Sequence, residues 1–308
     1  MYHVFEEKIA LVLKEEQIKR KEMLSKHTTF RIGGPADYFL APDSMEQVQA
    51  IIQLCNQQQI PFYVLGNGSN MLVSDEGYEG VILHIGSGFD WWRNETKEDG
   101  MVEITAGCGI MLTKLAKEVA SLSLEGFEFA GGIPGTLGGA VTMNAGAYGG
   151  EIKDCILSAK VLTKTGEVRV LSKEELALSY RTSVIQKEEY IVVEATFAFS
   201  KGDKSEIVKK MEQFNEQRRE KQPLQYPSAG STFKRPEGYF AGKLIQDAGL
   251  RGYRVGDLMV SEKHCGFVVN VGNGTAKEAK QLIEDVKRIV YERFQVMLEP
   301  EVRFLGRF

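Results

Sequence analysis

The stretch Val64–Leu83, VLGNGSNMLVSDEGYEGVIL, runs an apolar strand-like segment straight into Gly66-Asn67-Gly68-Ser69-Asn70. A glycine turn after a strand points successive backbone N–H groups outward, a geometry that can hold a phosphate. Ser69 and Asn70 add side-chain donors. The turn lacks the third glycine of a dinucleotide fingerprint and the Gly-Lys-Ser/Thr of a P-loop, and a plain hairpin turn is the alternative reading. A second stretch, AGGIPGTLGGAVTMNAGAYG from Ala130 to Gly149, is rich in glycine yet apolar. A flexible linker would be polar. Such a stretch suits buried main chain lying against a large flat or phosphorylated ligand, or a tight turn inside the core. Of the 32 glycines, eight fall between Gly131 and Gly150, so the excess is local. Gly107-Cys108-Gly109 reads as the turn that starts a helix. Three isolated groups complete the set: Arg181 in SYRTS, Ser231 in PSAGSTFKRP and Glu301 in LEPEVRF. They offer a permanently charged fork, a hydroxyl and a carboxyl. Spacing alone does not connect them, and each also suits an ordinary turn or surface position.

The elements that must position these groups begin with residues 4–24, where Val4, Phe5, Ile9, Val12 and Leu13 at helical spacing predict a docking helix. Thr28–Pro42 predicts a turn and then a strand. Ser44 caps a helix to about Gln58, and Pro61–Leu65 is a strand, which makes a strand–helix–strand unit. Val81–Ile85, Val102–Ala106, Cys155–Leu162, Val168–Leu171 and Ile191–Phe199 read as strands, and Met111–Ser121 as a helix. Asp203 caps a long charged helix that ends near Lys221, before Pro223. Tyr239–Ala248 predicts a short helix, Phe267–Asn270 a strand, Thr275–Phe294 a long helix capped by Thr275, and Glu299–Phe304 a final strand returning to the body. No internal repeat or low-complexity tract appears.

The chain has 308 residues, 43% hydrophobic and 26% charged, which suits two or three packed units of a globular enzyme. Its formal charge is -4, from 38 Lys and Arg against 42 Asp and Glu. That balance argues against general nucleic-acid binding, which needs a basic face. No run of about 18 apolar residues is present and the N-terminus lacks a signal-peptide pattern, so a cytoplasmic protein with no membrane span is expected. Cys55, Cys108, Cys155 and Cys265 are far apart and share no metal-ligand spacing, so reduced buried thiols and no metal site are expected.

The order of the Asn-bearing glycine turn, the glycine-rich loop, SYRTS, GSTFKRP, FAGKLIQDAGLRG and LEPEVRF resembles the UDP-N-acetylenolpyruvoylglucosamine reductase (UDP-N-acetylmuramate dehydrogenase) family over nearly the whole chain. The resemblance implies an α+β protein with an FAD-binding fold of the vanillyl-alcohol-oxidase (PCMH) type and a third, α+β substrate-binding domain. In that division residues 1–85 form the first FAD-binding subdomain, with strand 299–308 returning to it, 86–200 the second, and 201–298 the substrate domain. Non-covalent FAD would lie on Gly66, Asn67, Gly68, Ser69 and Asn70, and along Gly131, Gly132, Pro134, Gly135, Gly138, Gly139, Asn144 and Ala145. NADPH would be co-substrate, and a small UDP-sugar would be reduced for peptidoglycan synthesis with no obligate protein partner. The implied catalytic residues are Arg181, Ser231 and Glu301. Tyr180, Arg218, Lys234 and Arg235 would bind substrate, Arg235 standing where many members carry Asn. His264 in EKHCGFVVN reads either as a residue approaching the implied site or as a structural histidine. Some members close a tyrosine-bearing loop over substrate; Ser183–Glu194 is too short for that insertion. An oxidase or an electron-transfer flavoprotein on the same fold are the rival readings.

Overall fold

The computed structural model describes residues 3–308. The chain forms two compact units. The first comprises residues up to Lys19, Tyr38–Asn67 and Gly80–Gln217; the second comprises Arg20–Asp37, Gly68–Glu79 and Arg218–Phe308.

In the first unit the N-terminal helix is shorter than its spacing predicts. It covers His3–Val12, a 3-10 turn follows at Glu15–Gln17, and the strand Ile18–Met23 begins in this unit and runs on into the second from Arg20. Phe5, Ile9 and Leu13 bury one face at four-residue intervals, and no apolar residue continues that row through the charged IKRKEM stretch. The Met45–Gln57 helix begins as predicted, with Ser44 Oγ accepting from the Gln47 amide. Phe62–Leu65 and Tyr78–His84 pair in parallel, Phe62 opposite Val81 and Leu65 opposite His84. An antiparallel sheet of five strands follows in the order Val168–Ser172, Ile156–Leu162, Ile191–Phe199, Val102–Gly107 and Trp92–Thr96. Its alternating inward residues, Val193, Ala195, Phe197 and Phe199 among them, are buried. Phe127 sits 5.4–5.5 Å from the rings of Phe129, Phe197 and Phe199, which fixes the start of the glycine-rich loop on this sheet. Cys55 and Cys155 are buried here, and burial pushes each thiol up to about 12.

In the second unit the Ala276–Phe294 helix lays Ala279, Leu282, Ile283, Val286 and Val290 into a core with Leu244, Ile245, Leu258, Val260 and Val302. Its N-terminus is held twice. Thr275 and Glu278 form a capping box, and the Asp75 carboxylate accepts from the amides of Ala276 and Lys277 at 2.8 and 3.0 Å. Arg254–Val255, Leu258–Val260 and Val268–Asn270 make a small antiparallel sheet. The final strand is Arg303–Leu305, shorter than the predicted Glu299–Phe304, and it pairs in parallel with Met71–Val73. Residues 299–301 are drawn into other bonds, described below. Gly77 has φ +81°, and a Cβ there would stand 1.9 Å from the Pro35 carbonyl oxygen, so only glycine lets these two loops touch.

No helix among the described residues is long and apolar enough to cross a membrane.

Candidate active site

Gly66 and Asn67, the start of the glycine turn after Phe62–Leu65, meet the glycine-rich loop inside the first unit. A Cβ on Gly66 would lie 2.3 Å from Thr136 Oγ1, so main chain packs directly on side chain there. Asn67 Nδ2 donates to the Pro134 carbonyl at 2.5 Å. The loop itself is more regular than its composition suggests. Glu128–Gly132 is a 3-10 turn and Leu137–Thr142 a short helix despite Gly138 and Gly139. Tertiary bonds impose that helix: Leu137 and Gly138 amides donate to the carbonyls of Ile110 and Cys108, both at 2.9 Å. The Gly107-Cys108-Gly109 turn thus precedes the Leu112–Ser121 helix and also anchors the loop. A Cβ at Gly138 would stand 3.0 Å from Cys108 Cβ, while one at Gly149 would meet nothing within 4 Å. The tight packing at Gly66 and Gly138 leaves no room for side chains there, so these glycines keep the main chain of the two segments close to its neighbours.

Arg181 also belongs to the first unit. It sits in a tight turn closed by reciprocal bonds between Ser179 and Thr182, with φ +55°. Its Nη2 donates to the Gly146 carbonyl at 3.3 Å, and its guanidinium lies 5.2 Å from the Tyr180 ring. Tyr180 is exposed. Asn144, by contrast, is fully buried, and both its amide hydrogens go to protein acceptors, Glu151 Oε2 at 2.7 Å and Ser179 O at 3.2 Å. Burial alone would raise the Glu151 carboxyl. Hydrogen bonds from Lys153 and Asn144, with the charges of Lys153 and Arg181, outweigh it and hold the group below its ordinary value. Ala145 is buried beside them, its amide donating to Ala140 O. After Ser183 the chain forms only the Val184–Glu188 helix before the strand at Ile191, which leaves no space for an inserted loop.

In the second unit three distant stretches converge. The Glu301 amide donates to Thr232 O at 2.8 Å and the Lys234 amide to Glu299 O at 2.9 Å, so the Ser231 segment and the Glu301 segment run side by side. Asn70 ties on the third: its Nδ2 donates to Glu301 O at 3.0 Å, and its carbonyl accepts from the Arg303 amide. A Cβ on Gly230, where φ is +74°, would lie 4.0 Å from Ser69 O. Ser231 is exposed and Glu301 half-buried. Lys234 Nζ pairs with Glu299 at 3.0 Å. Arg235 lies over the Phe240 ring at 4.0 Å and donates from Nε to Tyr239 O. Arg218 is half-buried near the end of the Lys204–Lys221 helix. His264 Nδ1 accepts from the Gly266 amide, and burial holds its imidazole below the usual value. The Gly266 carbonyl accepts from Thr232, one residue from Ser231. Sequence reading did not single out Thr136, Glu151 or Gln186. Their types are common, and the contacts that matter at Thr136 and Gln186, to Gly66 and Thr142, lie far along the chain. Among the described residues no cluster of His, Cys, Asp or Glu could hold a metal ion.

Residues 36–172 match the FAD binding domain family, and residues 222–305 match UDP-N-acetylenolpyruvoylglucosamine reductase, C-terminal domain. Together with the fold, this defines an FAD-dependent oxidoreductase built on an FAD-binding domain with a further α+β domain. The chain is 56% identical to the UDP-N-acetylenolpyruvoylglucosamine reductase of Lachnoclostridium phytofermentans, over 99% of this chain and 98% of that one. It is 50% identical to the reductase of Agathobacter rectalis, over the full length of both. The crystal structure of the Thermus caldophilus UDP-N-acetylenolpyruvylglucosamine reductase superimposes with a TM-score of 0.79 at 34% identity, covering 94% of this chain and 99% of that one. The chain belongs to the UDP-N-acetylenolpyruvoylglucosamine reductase family.

Proposed function

We propose that this enzyme reduces the enolpyruvyl group of UDP-N-acetylglucosamine enolpyruvate to give UDP-N-acetylmuramate, with NADPH as the electron source, in the cytoplasmic supply of peptidoglycan precursors. Full-length identity of 56% to a reductase of that name carries the reading. Bound FAD would supply the hydride chemistry that links NADPH to the enolpyruvyl double bond. The residues that would hold it are Gly66–Asn70 and the Gly131–Ala145 main chain.

Hydride addition at the terminal carbon leaves negative charge beside the substrate carboxylate, and groups matched to that charge accelerate the step. Arg181 has the planar, permanently charged fork that meets a carboxylate. Glu301 in its protonated form donates a hydrogen bond to the same developing charge. Ser231 delivers the proton to the adjacent carbon, a role that needs a strongly basic acceptor and tight placement. The backbone bonding of Thr232 to Glu301 supports a shared task for Ser231 and Glu301, because it keeps their main chains adjacent. Lys234 and Arg218 suit the UDP diphosphate, and Tyr180 and Arg235 are further substrate contacts.

The test is Ser231→Ala in stopped flow. Flavin reduction by NADPH should proceed at the normal rate, and re-oxidation by the enolpyruvyl sugar should be lost. Equal loss of both half-reactions would refute the assignment.

A further inference from the structure

Three non-glycine residues with left-handed backbone gather in two short stretches of the first unit: Asn144 at φ +45°, Tyr148 at +54° and Arg181 at +55°. Such conformations are unfavourable for residues with a Cβ and persist only where surrounding bonds over-determine them. Around Arg181, beyond the Ser179–Thr182 bonds within the turn, several of those bonds involve residues 142–146 and Gln186. Ser183 Oγ donates to Thr142 O at 2.5 Å. Gln186 Nε2 donates to Thr142 O at 2.8 Å and to Arg181 O at 3.2 Å. Asn144 Nδ2 donates to Ser179 O, and Arg181 Nη2 donates to Gly146 O. Residues 142–146 therefore act as a template on which the Ser179–Ser183 turn is fastened at several points.

We propose that Gln186 and Asn144 are positioning residues for Arg181: they clamp its left-handed turn to the 142–146 main chain so that the guanidinium is presented in one orientation. This rests on the role given to Arg181 above. Gln186 is the sharper member of the pair because a single amide group spans Thr142 O and Arg181 O. Asn144 sets the other end. Its two hydrogens bind Glu151 and Ser179, and its Oδ1 accepts from the Lys153 amide at 2.9 Å. Neither side chain need touch substrate. Loosening the clamp lets the turn relax toward ordinary backbone and displaces the guanidinium, and small misplacements of a charge-stabilising group are costly to rate.

The experiment isolates the sugar-reducing step. Enzyme reduced with dithionite is mixed with UDP-N-acetylglucosamine enolpyruvate and flavin re-oxidation is followed, for Arg181→Ala, Gln186→Ala and the double variant. Arg181→Ala should slow the step on the order of 100-fold. Gln186→Ala should keep its flavin and slow the step about tenfold, the scale of one or two lost hydrogen bonds. The double variant should be no slower than Arg181→Ala alone, because a residue acting only through Arg181 has nothing left to act on. Purely structural damage would instead multiply with the loss of Arg181. Asn144→Asp, which keeps the shape and removes both donors, is the second variant should Gln186→Ala fold poorly. A normal rate in Gln186→Ala and Asn144→Asp, or multiplicative losses, would overturn the clamp while leaving Arg181 in its role. A normal rate in Arg181→Ala would overturn the role itself, and the clamp with it.

Discussion

Replacing Gly66 with alanine tests the contact that joins the two glycine segments. The added methyl would stand 2.3 Å from Thr136 Oγ1, and Thr136 Cβ and Cγ2 already lie at 3.4 Å, ordinary contact distance. Relief therefore requires a shift of about 1 Å at one carbon–oxygen pair. Rotating Thr136 does not supply it, because a β-branched side chain brings one heavy atom in as another leaves. Thr136 is itself buried, so the turn must give way. Overpacking of this kind costs about 1–3 kcal/mol. Charged to flavin binding, that is a loss of roughly 5–150-fold in affinity. The assay is flavin content of the purified protein, followed by FAD titration of the apoprotein with flavin fluorescence as signal. Gly66→Ala combined with Thr136→Ala removes the obstructing oxygen and should recover most of the affinity. Wild-type flavin affinity in Gly66→Ala alone, or no recovery in the pair, would refute the packing argument.

Thr275→Ala removes the side-chain cap of the Ala276–Phe294 helix and should cost about 1 kcal/mol. That is a fall of roughly 2–4 °C in Tm, reversed by Thr275→Asn, and an unchanged melting curve would count against it. His264 titrates below its usual 6.5 because it is buried. The unfolded chain then takes up the proton first, so its contribution to stability is whole above 6.5 and is lost as pH falls through the lower folded value. His264→Gln should flatten the decline of Tm on the acid side, and parallel pH profiles for both proteins would contradict this.

Elements with local signals were readable in the sequence. Ser44 and Thr275 cap the helices they were expected to cap, and Asp203 Oδ1 accepts from the amides of Ser205 and Glu206 at the start of the Lys204–Lys221 helix. Elements made by distant partners were not. Ile18–Met23 and Trp92–Thr96 are strands whose side chains are mostly polar and exposed, so no alternation marks them. Leu137–Thr142 is helical because Ile110 and Cys108 receive its first amides, although its two glycines argue otherwise. At the site, Ser231 and Glu301 were flagged by their surroundings in the sequence, and their adjacency became visible only through the Thr232–Glu301 backbone bond. The clamp on Arg181 was hidden for a different reason: a left-handed arginine has no residue-type signature of the kind glycine provides.

The parallel pairing of Arg303–Leu305 with Met71–Val73 sets an order of events during synthesis. The first unit draws on nothing beyond Gln217, whereas the second needs residues as late as Leu305. At ordinary ribosomal speeds the intervening stretch, about 90 residues, takes roughly 5–20 s to make. For that interval residues 68–79 wait without their partner strand, and Asn70 has no Glu301 carbonyl to bind. A nascent chain stalled just short of Arg303 would carry a first unit able to close and a second still lacking its last strand.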